Sequence, residues 1–93
     1  MKEIELFYLP GCPYCKNARK AIEALTEENA SYGSIHIRWI DERAEAALAN
    51  SRDYYSVPTL YYNGEKLYEA KPTHSYEIIK SSIQTAFDRV IAD

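Results

Sequence analysis

Gly11-Cys12-Pro13-Tyr14-Cys15 stands where one hydrophobic period gives way to another. Ahead of it, Ile4-Glu5-Leu6-Phe7-Tyr8 reads as a strand with apolar residues on both faces, as a central strand covered on both sides requires. Behind it, Ala18, Ala21, Ile22 and Leu25 recur at helical spacing. The chain must therefore pass from strand to helix at the only two cysteines among its 93 residues. Pro13 suits the first helical position, because its missing N–H would be unpaired there and its φ is already helical. Cys12 then becomes the N-cap. Cys15 falls about one turn further on, nearly on the same face and close enough for a disulfide.

That placement has a chemical meaning. A sulfur at a helix start faces free backbone N–H groups and the positive end of the helix dipole, which favours the thiolate form. Cys12 is thus the expected attacking sulfur and Cys15 the resolving one. Three plainer readings compete. A structural disulfide would close a loop of about four residues and stabilise the fold by only about 2 kcal/mol. A zinc half-site needs two more ligands, and only His36 and His74 are on offer, neither at zinc-finger spacing. The last is a pair of unrelated buried thiols. A redox dithiol is the reading the position favours.

Composition narrows the setting. Residues 1–93 make one small domain, near the size at which a single core suffices. A formal net charge of −3 speaks against nucleic acid as the main partner. No apolar run approaches the roughly 20 residues of a membrane span. Lys2, Glu3 and Glu5 interrupt any signal-peptide core. With two cysteines at redox spacing, this points to a reducing, cytoplasmic location. Lys16, Arg19 and Lys20 form the densest basic cluster, either a solvated helix face or a local positive field beside the dithiol.

Taken in order, residues 2–9 form the first strand and Pro13–Glu28 the first helix, with a stop over residues 29–33. In residues 34–40, Ile35, Ile37 and Trp39 alternate with Ser34, His36 and Arg38, a second strand in which His36 is an ordinary polar-face residue. Asp41 is expected to cap a short helix through about Asn50, with Ala44, Ala47 and Leu48 inward. Strand, helix, strand implies a right-handed crossover and parallel pairing. Pro58 is tolerated at the head of a third strand, and Asn63-Gly64 predicts a hairpin pairing residues 59–62 with 65–70. Thr73 or Ser75 caps a last helix, whose stripe is Tyr76, Ile79, Ile83, Ala86 and Val90, widened by Phe87. Nine tyrosines, six of them from Tyr54 onward, fit half-buried packing with the hydroxyl at the surface or, alternatively, an aromatic rim around the Pro58 loop.

The order βαβαββα, with a dithiol after the first strand and a proline opening the third, resembles the thioredoxin-like α/β fold, a four-stranded mixed sheet flanked by three helices. The local sequence resembles a bacterial glutaredoxin in Cys12-Pro13-Tyr14-Cys15, Val57-Pro58 and Asn63-Gly64, and in Trp39-Ile40-Asp41 at the end of the second strand. The resemblance implies a cis Pro58 lying against the dithiol and a Val57 backbone that pairs, strand-like, with the cysteine-bearing part of a substrate. It places Tyr14 beside the exposed sulfur. It also implies a monomeric thiol–disulfide oxidoreductase acting on protein or glutathione mixed disulfides. Glutathione would be co-substrate, no cofactor or metal would be tightly bound, and a reductase system would recharge the dithiol. Two alternatives accompany it: a thioredoxin-like reductase recharged by a flavoprotein, and a dimer holding an iron–sulfur cluster through Cys12 and glutathione.

The likeness breaks at Lys71-Pro72-Thr73-His74-Ser75, where the family carries Gly-Gly and an acidic residue to hold glutathione's γ-glutamyl end. It breaks again at Pro10, where a lysine is frequent. Thr73 and His74, at a helix start whose free N–H groups face a carboxylate, remain the expected substrate contacts in that stretch. A weakened grip on glutathione is the expectation.

Overall fold

The computed structural model describes residues 2–93. Its sheet is ordered β2-β1-β3-β4, built from β1 (Lys2–Tyr8), β2 (Ile35–Asp41), β3 (Thr59–Tyr62) and β4 (Glu65–Glu69). Around it lie α1 (Pro13–Glu28), α2 (Ala46–Asn50) and α3 (Tyr76–Ala92). β1 pairs in parallel with β2 and antiparallel with β3, so Leu6 stands between Trp39 and Leu60. The mixed α/β sheet with three helices is the expected thioredoxin-like architecture.

The doubly apolar β1 explains the layering. Ile4 and Leu6 face one side and are buried with Ala18, Ala21 and Leu25 of α1 and Ile79, Ile83, Phe87 and Val90 of α3. Phe7 faces the other side and packs with Ile40, Ala49 and Tyr61. The helical stripes read from sequence are buried except at Ile22 and Tyr76, which are half-buried at their margins. Ser75, not Thr73, caps α3, its hydroxyl accepting the Ile78 N–H at 3.2 Å.

The β3–β4 hairpin turns at Asn63 (φ 49°) and Gly64 (φ 81°). Two successive left-handed residues make the tight connection whose twist matches the strands it joins.

Two local expectations need correction. Residues 29–33 do not merely stop α1: Ala30–Ser34 form a 3-10 helix that buries Tyr32. Its hydroxyl donates to the Asp88 carboxylate on α3. The segment after β2 is less helical than expected. Asp41 does cap, accepting the Arg43 and Ala44 N–H groups at 2.9 and 3.3 Å, but what it caps is a turn. The helix proper is only Ala46–Asn50. Ala44 and Ala47 are exposed, Leu48 is half-buried, and the inward residue is Ala49. Alanines bury too little apolar surface to decide which side of a short helix turns inward.

Among the described residues, no helix is long and apolar enough to cross a membrane.

Candidate active site

Between β1 and α1 the chain turns through Gly11, whose φ of 82° is a left-handed conformation that a side chain would strain. The Cys12 N–H closes this turn on the Leu9 carbonyl at 3.3 Å. Cys12 then has extended backbone (φ −73°, ψ 122°) and caps α1, with Pro13 opening the helix behind it. Its sulfur accepts the Cys15 N–H at 3.4 Å, as a capping side chain does.

The two thiols differ in access. Cys12 is half-buried, whereas Cys15 is 6% exposed. Burial pushes the Cys15 thiol up to about 12, with the neighbouring Cys12 adding to the rise and a hydrogen bond from the Leu9 backbone opposing it. Cys15 is therefore a protonated, sheltered sulfur at neutral pH, behind a more open one. Both are free thiols.

Two surfaces flank the dithiol turn. On one side, a cleft of about 110 Å³ is lined by Tyr8, Lys16, Arg19 and Trp39 together with both cysteines. Arg19 lies over the Trp39 ring at 4.1 Å, and Tyr8 meets that ring edge-on at 5.7 Å. On the other side, a groove of about 190 Å³ runs between Tyr14, Ser56, Val57, Ala70, Lys71 and Pro72. The Val57–Pro58 peptide is cis. The Cys12 S–H points to the Val57 carbonyl at 4.0 Å. Among the described residues the Val57 N–H forms no hydrogen bond.

The structure thus brings Cys12, Cys15, Tyr14, Val57 and Pro58 together. Tyr14 does more than flank the sulfur: its hydroxyl donates to the Pro72 carbonyl at 2.8 Å, across the groove. Thr73 and His74 are placed differently. Thr73 is exposed and outside the groove lining. The His74 ring stacks on Tyr68 at 5.7 Å, and its Nδ1 lies 2.8 Å from the Tyr68 hydroxyl and 3.3 Å from the Lys71 N–H. His74 is occupied with shaping the groove wall. Of the possible zinc ligands, neither His36 nor His74 joins the cysteines in a metal-holding group among the described residues. His36 instead faces Glu3 at 3.6 Å on the exposed side of the sheet.

Sequence reasoning missed the supports of the loop that ends in Val57. The Tyr54 hydroxyl donates to Glu42 at 2.6 Å. The Tyr61 hydroxyl donates to the Asp53 carbonyl at 2.8 Å and accepts the Asp53 N–H at 3.1 Å. Burial, with the Glu42 carboxylate adding, raises the Tyr54 phenol well above its ordinary value and keeps it a donor. The tyrosines divide accordingly: Tyr32, Tyr61, Tyr62 and Tyr68 are buried, while Tyr55 is 94% exposed.

Comparison with known proteins agrees with this geometry. A family model described as Glutaredoxin matches residues 4–67. Over 56 residues, 60% of this chain, the sequence is 38% identical to a monothiol glutaredoxin of Arabidopsis thaliana, of which the match spans 11%. Over 71 residues, 76% of this chain, it is 28% identical to a thioredoxin of Methanocaldococcus jannaschii, of which the match spans 81%. Among solved structures, a malarial protein superposes with a TM-score of 0.59 at 19% identity, covering 90% of this chain and 94% of that one. A mutant thioredoxin from Halobacterium salinarum NRC-1 gives 0.57 at 24% identity, covering 90% and 73%. At those identities the structural likenesses speak for the fold alone. The family match runs from the central strand, through the dithiol turn and the cis proline, into the last strand of the hairpin, and the chain belongs to the glutaredoxin family.

Proposed function

We propose that this protein reduces disulfides in extended peptide segments, and glutathione mixed disulfides less effectively, through Cys12 and Cys15. The observation that carries the reading is the unequal setting of the two sulfurs, one open beside the Val57 carbonyl and one enclosed a turn behind. The Cys12 thiolate attacks one sulfur of the substrate disulfide; the S–S bond breaks and the first substrate thiolate leaves. Cys12 is then joined to the remaining half as a mixed disulfide. Cys15 loses its proton, its sulfur attacks Cys12, and the second substrate thiolate departs. The substrate gains two electrons and the protein becomes the Cys12–Cys15 disulfide. A dithiol reductant or two molecules of glutathione, themselves oxidised, restore it.

The Val57 N–H and C=O, at the groove edge, suit strand-like pairing with the residues flanking a substrate cysteine. A glutathione co-substrate, a cytoplasmic setting and a monomeric state complete the proposal. A second reading, recharging by a flavoprotein reductase, is favoured by Lys71-Pro72-Thr73-His74-Ser75, which lacks Gly-Gly and an acid, and whose Lys71 N–H is already taken by His74.

Cys15→Ser treated with oxidised glutathione is expected to accumulate a single adduct about 305 Da heavier, on Cys12. An adduct that accumulates instead in Cys12→Ser sinks the assignment of roles. Supplying the oxidised wild-type protein with glutathione and its reductase, and separately with a thioredoxin reductase, decides the electron donor.

A further inference from the structure

Glu69 closes the edge strand β4, where a carboxylate ordinarily points to water. Here its side chain is only 13% exposed. Its Oε2 accepts two consecutive backbone N–H groups, those of Tyr55 and Ser56, each at 2.8 Å. Its Oε1 takes the Lys66 ammonium at 2.8 Å. Below the same loop, the Thr59 hydroxyl donates to the Ser56 carbonyl, and the Ala70 N–H donates to the Pro58 carbonyl at 3.0 Å. Val57 lies between these held points. Burial acts to raise the Glu69 pKa, but Lys66 and the two N–H groups outweigh it and hold the group below its ordinary value. The carboxylate is therefore charged throughout the neutral range.

The sheet itself does not require this arrangement, since the β3–β4 ladder is made by backbone groups. What the carboxylate fixes is a segment without ladder bonds of its own, and that segment ends beside Cys12. We infer that Glu69 is a positioning residue for disulfide exchange: by binding the Tyr55 and Ser56 N–H groups it holds the Val57 backbone where an extended peptide disulfide must pair to present its sulfur to Cys12. The inference rests on the strand-pairing reading of Val57 given above. It separates substrates by length, because a disulfide too small to reach Val57 gains nothing from the held loop.

The test compares a short extended peptide, its one cysteine blocked as a mixed disulfide with 2-mercaptoethanol, against bis(2-hydroxyethyl) disulfide. In Glu69→Ala, KM for the peptide is expected to rise about tenfold, the factor that roughly 1.4 kcal/mol of lost pairing gives. Its kcat, the kinetics of the small disulfide and the rate of Cys12 alkylation by iodoacetamide are expected to stay unchanged. Glu69→Gln should restore most of the peptide affinity, because an amide oxygen still accepts both N–H groups. Equal losses with both substrates, or no loss with either, overturn the positioning role. If the wild-type protein itself gains no affinity from the peptide's flanking residues, the strand-pairing reading falls, and the role falls with it. Hydrogen exchange in the wild type keeps the test open should Glu69→Ala not fold. The Tyr55 and Ser56 amides should exchange slowly although Tyr55 is 94% exposed, and exchange at the free-loop rate removes the clamp.

Discussion

The Tyr14 hydroxyl and the Pro72 carbonyl oxygen lie 2.8 Å apart, so the turn that carries the sulfurs is tied to the far wall of the groove beside them. Tyr14 stands between Cys12 and Cys15 in sequence, and Pro72 lies between β4 and α3. One hydrogen bond thus couples two parts of the chain that lie 58 positions apart in sequence.

Tyr14→Phe keeps the ring and removes the tie. A neutral hydrogen bond contributes about 0.5–1.5 kcal/mol, and this one is partly open to water, so the lower half of that range applies. At about 4–8 °C per kcal/mol for a domain of this size, Tm is expected to fall by a few degrees. Thermal unfolding of the two proteins side by side measures it; coincident curves mean that the bond adds nothing to stability.

The buried resolving thiol sets a pH dependence. Burial raises Cys15 from 9.0 to about 12, so it is protonated at neutral pH and must lose that proton to displace the substrate. Once Cys12 is tied up in a mixed disulfide its own charge no longer contributes, and burial remains as the main cause. Release of the second substrate thiolate should therefore speed up as pH rises, by about tenfold per unit while Cys15 stays mostly protonated. Single-turnover decay of the mixed disulfide gives the slope. A rate that levels off near the ordinary thiol pKa of about 8.5 contradicts the enclosed-resolver assignment.

The wall formed by residues 71–75 bears on glutathione. Losing one charge-assisted contact to its glutamyl end costs roughly 1.5–3 kcal/mol, or about 10- to 150-fold in affinity. The α3 N-terminus restores only about 0.3–1 kcal/mol of that. Grafting Gly-Gly-Tyr-Asp-Asp over residues 72–76 should lower the apparent KM for glutathione correspondingly. Steady-state assays with glutathione varied compare the two proteins; equal values would show that the native stretch already holds it.

What could be read from the residues alone was local. Pro13 at the helix start, the Asn63-Gly64 turn and the stripe from Tyr76 to Val90 each follow from rules that span a few positions, and each stands as expected. The segment after β2 was harder, because Ala44, Ala47 and Ala49 carry the same small side chain and nothing local says which turns inward. Glu69 was invisible for a different reason. An acidic residue at the end of an edge strand reads as solvated, and its partners at Tyr55 and Ser56 are 14 and 13 positions away. The turn of His74 toward Tyr68 likewise depends on how α3 returns to the sheet, which no periodicity records.

The two faces of β1 are unequally covered. α1 and α3, of 16 and 17 residues, shield one face, and α1 carries the buried Cys15; the opposite face has only the five-residue α2 with Phe7, Ile40 and Tyr61, and the segment bearing Tyr54 and Val57 rests on it. Reactivity and discrimination consequently belong to cooperative units of different strength, and the weaker unit opens first. On warming, the shelf beside the sulfur is expected to loosen while the helix holding the dithiol remains folded. Choice among disulfides would then fade at temperatures where the thiols still exchange, leaving a less selective reductant before an inactive one.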